Sequence, residues 1–67
     1  MKGYTLITAS GEVTQADVLD LEDMQKFVGG FIEHFGNIYC NDDGIALNLP
    51  RNKAYPYFLG NIIVENR

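Results

Sequence analysis

Asp20-Leu21-Glu22-Asp23-Met24-Gln25-Lys26-Phe27-Val28-Gly29-Gly30 is the stretch whose reading decides the fold. Asp20 is a strong helix N-cap, because its carboxylate can accept from a free N–H of the first turn. Asp23, three residues on, completes a capping-box pattern with Asp in place of Glu. Leu21, Met24, Phe27 and Val28 recur at helical spacing and form one apolar stripe. Glu22 and Lys26 stand i,i+4 in the favourable order, with Glu22 and Asp23 at the positive end of the helix and Lys26 at the negative end. Gly29-Gly30 stops the helix, since glycine takes the left-handed position beyond the last turn at no steric cost. The pattern predicts an amphipathic helix over about residues 20–29. A helix that short is marginal alone in water and needs a sheet to pack on.

The flanking sequence supplies the sheet. Gly3 to Ala9 is rich in β-branched and aromatic residues and reads as a strand. Ser10-Gly11 is a turn signal. Glu12 to Leu19 reads as a second strand, although Thr14 with Asp17 would also open a helix early. Phe31 to Phe35 and Ile38 to Cys40 read as strands joined by Gly36-Asn37. Asn41-Asp42-Asp43-Gly44 reads as a hairpin turn, with Ile45-Ala46-Leu47 returning from it as a strand. Leu49 to Pro56 is a loop with two prolines, and Asn61 to Glu65 closes the chain as a strand. The expected fold class is α+β: a small, mostly antiparallel sheet of five or six short strands with one amphipathic helix on a face. The chain, residues 1–67, is expected to form a single small domain, since 67 residues leave room for one core.

Composition narrows the classes of function. The apolar fraction of 46% is too high for a disordered chain. The longest apolar runs are three residues, such as Ile62-Ile63-Val64, so no membrane-crossing helix is expected. The N-terminal residues lack the apolar core of a secretory signal. A lone Cys40 suits a reducing, cytoplasmic compartment. The net charge of −4 argues against binding nucleic-acid backbones or anionic membranes. The charge is also uneven. Residues 1–43 carry eight carboxylates against two cations, and residues 44–67 carry one against three. Glu12, Asp17, Asp20, Glu22 and Asp23 form a run free of bases, read either as an acidic face for a basic protein partner or as a solvated, helix-capping surface.

Val28-Gly29-Gly30-Phe31-Ile32-Glu33, Asn41-Asp42-Asp43-Gly44, Leu49-Pro50-Arg51-Asn52-Lys53-Ala54 and Gly60-Asn61-Ile62-Ile63-Val64 together, in that order, resemble a domain-of-unknown-function family of short phage, plasmid and bacterial proteins. The resemblance covers roughly Leu21 to Val64. It implies a small α+β domain in a mobile-element setting, working in the cytoplasm of a bacterial host. It carries no catalytic residue. The short Gly36-Asn37 link departs from relatives, where a longer loop is frequent.

Candidate chemistry is sparse. His34 is the one histidine, and in a strand it points opposite to Glu33. A Cys–His couple with Cys40 competes with an ordinary edge histidine. Ser10, the one serine, lies in a turn, which makes a serine triad improbable. Asn41-Asp42-Asp43-Gly44 is not an EF-hand loop, because aligning Gly44 with the loop glycine puts Tyr39 and Pro50 at ligand positions. Gly29-Gly30 ends a helix rather than opening one, so it is no phosphate cradle. Glu33 shares a face with Phe31 and Phe35 and reads as a ligand carboxylate, partnered by Arg51 or Lys53 if buried, or as an edge charge that blocks aggregation. Asn48, Arg51, Asn52, Lys53 and Tyr55, with Tyr57, supply charge, amides and a stacking face, the kit for a small anionic, nucleotide-like ligand and also the usual make-up of a surface loop.

The expectation is a non-enzymatic accessory protein that binds and blocks or sequesters a host component, either a host protein or a small anionic ligand, with no cofactor and no metal. Alternatives are a small hydrolase using Glu33 or His34, and a self-associating structural module. So small a core suggests a homodimer or larger assembly, with any small-ligand site between subunits.

Overall fold

The structure, a computed structural model, describes residues 3–66. The chain runs β1 (Gly3–Ile7), β2 (Val13–Ala16), α1 (Leu21–Val28), β3 (Ile32–Phe35), β4 (Ile38–Asn41) and β5 (Ile62–Asn66). The five strands form one antiparallel sheet in the order β2-β1-β5-β4-β3. Two local hairpins, β1–β2 and β3–β4, form the two ends. The last strand of the chain inserts between them, pairing Ile7 with Ile62 on one side and Tyr39 with Ile63 on the other. The sheet is thus completed by a non-local step, which makes β5 its central strand.

The helix forms as its sequence dictates. Asp20 Oδ1 accepts from the Asp23 N–H at 2.8 Å, and Lys26 meets Glu22 at 3.3 Å. Gly29 is left-handed (φ 87°), which lets both it and Gly30 donate to the Gln25 carbonyl. Two further carbonyls of the last turn have side-chain donors: Asn61 donates to Phe27 O and Asn41 to Val28 O, each at 2.9 Å. The sheet therefore caps the helix that it carries.

Both faces of the sheet are covered. On one face Met24, Val28 and Ile63 form a core with Tyr4, Leu6, Leu19, Phe27, Ile32 and Tyr39 around them. On the other, Ile7, Cys40 and Ile62 pack with Ile38, Phe58 and Val64. A strand points successive side chains to opposite faces. Ile62 and Ile63, both 0% exposed, thus each anchor a different layer.

The second layer is the segment 42–60, which differs from its expected form. Ile45-Ala46-Leu47 is not a strand. Asn41 Oδ1 accepts from the Asp43 N–H at 2.7 Å, and Leu47 N–H, Asn48 N–H and Leu49 N–H then bond back to Asp43, Ile45 and Gly44 carbonyls. The backbone coils through consecutive turns over 42–48 and leaves Ile45 86% exposed. The sheet consequently has five strands, and the expected strand over Glu12 to Leu19 shortens to Val13–Ala16. Beyond it, residues 51–59 fold back on themselves through an Arg51–Leu59 bridge, and Lys53 N–H donates to Ala9 O.

Candidate functional site

A groove of about 680 Å³ opens between the β3–β4 hairpin and the 42–60 layer. Strand alternation builds its inner wall. In the register Glu33↔Cys40 and Phe35↔Ile38, Glu33 and Phe35 of β3 point to the same face as Cys40 of β4. Phe58 meets Phe35 edge to face with ring centroids 6.1 Å apart. Ile45, Leu59 and a 97% exposed Tyr57 complete the apolar lining. Three exposed carboxylates, Glu33, Asp42 and Asp43, stand on it, and no lysine or arginine lines it.

The electrostatics are felt at its base. Burial pushes the Cys40 thiol above its ordinary value, and the charges of Glu33 and Asp42 raise it further. A thiol held protonated is a poor nucleophile. Because the native value is raised above that of the unfolded chain, the stability it lends is fully present below the ordinary thiol range and is lost as pH rises through the native value. Denaturant titrations of wild type should show stability falling through the alkaline range beyond the fall in Cys40→Ala. Parallel pH profiles for the two proteins would show that the thiol is not protected.

The expected ligand set is not gathered here. Of its members only Glu33 lines the groove. Asn52, expected to contact a ligand, is 0% exposed and faces inward. Its amide nitrogen donates to the carbonyls of Ile7, Thr8 and Gly60 at 3.4, 3.2 and 3.0 Å, and its oxygen accepts from Ala54 and Tyr55 N–H at 2.9 and 3.0 Å. It holds the 51–60 loop onto β1 and has no capacity left for a ligand. Arg51 reaches Pro56 O at 3.3 Å. Asn48 sits exposed in the coiled turn with φ 53°, and Lys53 and Tyr55 are exposed on the loop. None of these five lines the groove.

The acidic run is exposed throughout, with local duties for several members. Asp20 caps the helix, Glu22 pairs with Lys26, and Glu12 N–H bonds the Thr8 hydroxyl in the β1–β2 turn. Glu12 and Asp17 flank β2, the strand at the opposite edge of the sheet from β3. His34 stacks flat on Tyr39, with centroids 4.3 Å apart and planes 1° from parallel. The β3 alternation puts that stack on the helix face, away from Glu33 and Cys40, so neither pair can share a proton across a substrate. Among the described residues, no three His, Cys, Asp or Glu side chains converge as metal ligands.

A five-stranded antiparallel sheet with a capped helix on one face and an Asn-pinned loop layer on the other defines a small α+β domain. The chain belongs to the family described as Domain of unknown function (DUF3846), whose model matches residues 1–66. No curated protein matches the chain. No solved structure matches it either. Among the described residues, no helix is long and apolar enough to cross a membrane.

Sequence reasoning had not assembled the groove. Phe35, Cys40, Asp42 and Asp43 each carried a separate reading, and Ile45, Tyr57, Phe58 and Leu59 join them only through the layer that Asn52 closes. The signal lay in Asn41, Asn52 and Asn61. These motif asparagines are buried or half-buried hydrogen-bonding staples of the fold.

Proposed function

We propose that this protein is a non-enzymatic accessory factor of a phage or other mobile element that engages a host protein through the groove beside β3. One observation carries the reading: an apolar groove bearing Glu33, Asp42 and Asp43 and lined by no cation. Such a surface suits a protein segment that offers apolar and basic side chains together, and it repels an anionic ligand. The net charge of −4 favours the same class of partner. The placement of His34 away from Glu33 and Cys40, together with the raised thiol, favours binding over catalysis.

The test compares capture from host lysate by wild type, by Glu33→Lys/Asp42→Lys, and by Arg51→Glu/Lys53→Glu. The expected result is a protein held by wild type and by the Arg51/Lys53 variant. Its retention should fall at least about tenfold with the groove variant, since reversing close interfacial charges costs more than about 1.4 kcal/mol. Capture that ignores the groove substitutions but needs Arg51 and Lys53 would move the site to the loop. Calorimetric binding of a nucleotide by wild type would replace the protein partner with a small anion.

A further inference from the structure

β3 is the edge strand beside the groove, and its backbone register is fixed. The Asp42 N–H donates to Phe31 O at 2.8 Å just beyond the ladder, so Phe31 and Asp42 face each other in the hydrogen-bonding phase of the β3–β4 register. Such pairs alternate along a ladder. With the register Ile32↔Asn41 through Phe35↔Ile38, Glu33 and Phe35 turn their backbone groups inward to β4. Ile32 and His34 turn theirs outward, at the open edge of the sheet. The side chains alternate in step with this. Glu33 and Phe35 line the groove, and Phe31, 73% exposed, precedes them on the same face.

We infer that the partner binds by adding an extended strand to β3, hydrogen-bonded to the backbone of Ile32 and His34, with alternate side chains entering the groove. This rests on the docking function proposed above and specifies its geometry. The partner side chains that fall on the groove face stand opposite Phe31, Glu33 and Phe35. A carboxylate between two aromatic rings selects a basic residue between two apolar ones. The recognised segment therefore reads apolar–any–basic–any–apolar. That order is the same in both chain directions, so parallel and antiparallel addition share it. Main-chain bonds supply affinity and the groove supplies selectivity, as in other strand-addition complexes. Asp42 and Asp43 provide a second acidic contact for a further basic residue beyond the motif.

The probe is the capped peptide acetyl-Ser-Val-Thr-Lys-Thr-Val-Ser-amide, titrated into the full chain up to about 1 mM, the range in which short strand peptides bind. Two companions accompany it, one with Lys replaced by Glu and one N-methylated on the Lys and on the Thr residues that flank it, so that a ladder donor is lost in either chain direction. Amide resonances and hydrogen exchange are read by residue. The expected result is saturable binding that slows exchange of the Ile32 and His34 amides, weakened at least about tenfold by either companion. Binding that tolerates N-methylation and leaves both amides exchanging freely would overturn strand addition while leaving a groove-docked host protein standing. No binding by any peptide would also overturn it. So would protection of Ile32 and His34 that grows with protein concentration alone, because a second copy would then own the edge. If the probe protects both amides while lysate capture ignores the carboxylates, the strand site stands and the host-protein reading falls.

Discussion

Asn52→Ala is expected to remove about a third or more of the domain's stability. The side chain makes five hydrogen bonds in a fully buried position. A buried hydrogen bond contributes about 1 kcal/mol net, and a buried group left unpaired costs about 1–3 kcal/mol. The longest of the five, 3.4 Å to Ile7 O, adds little. The loss is then about 3–4 kcal/mol, against a total stability of about 3–10 kcal/mol for a chain of this length. A thermal melt should fall by about 20 °C. Asn52→Asp separates the two halves of the network. It keeps the shape and both acceptor bonds but loses the donors and sets a carboxylate against carbonyls, so it should be at least as damaging. The exposed neighbours supply the contrast. Arg51→Ala and Lys53→Ala should change stability by no more than about 0.5 kcal/mol each. An Asn52→Ala melt within about 3 °C of wild type would show that the loop layer closes without it.

That contrast explains why part of the molecule was legible in its sequence and part was not. The helix was legible because its signals are local: Asp20, the Leu21–Val28 stripe and Gly29 lie within ten residues and act on one another directly. The two-residue Gly36-Asn37 hairpin was legible for the same reason, with Gly36 at φ 60°. Asn41-Asp42-Asp43-Gly44 was misread because its chemistry serves two ends. An Asx turn that opens a hairpin also opens a coiled run of turns. What decides is whether Ile45 and Leu47 find a strand partner, and both are instead exposed. Asn52 was misread because polar neighbours make a loop look solvated, whereas its burial depends on Ile7 at the end of β1 and Thr8 beyond it, both remote in sequence. The groove needed all of these non-local placements at once. Glu33 and Phe35 could be assigned to one face from strand alternation, but the 57–59 wall opposite them could not.

Strand alternation also makes the central strand unusually informative to mutate. Ile62 and Ile63 are consecutive, fully buried and committed to opposite layers, so each substitution should loosen a different part of the molecule. Either isoleucine changed to alanine removes about 2–5 kcal/mol by lost transfer energy and cavity formation. That is comparable to the whole stability of so small a domain, so both alanine variants are expected to populate the unfolded state heavily. The valine variants cost only about 0.5–1.5 kcal/mol and keep the fold. In them, residue-level hydrogen exchange should report which layer opens first. Ile63→Val thins the contact beneath Met24 and Val28, so the amides of Leu21–Val28 should exchange faster while the 42–60 layer keeps its protection. Ile62→Val thins the contact with Ile7, Cys40 and Phe58, so the 42–60 layer should open first and weaken the groove while the helix stays protected. If binding belongs to the groove, Ile62→Val should reduce peptide affinity more than Ile63→Val at equal loss of stability. Equal affinity losses in the two variants would mean that binding depends on global stability alone.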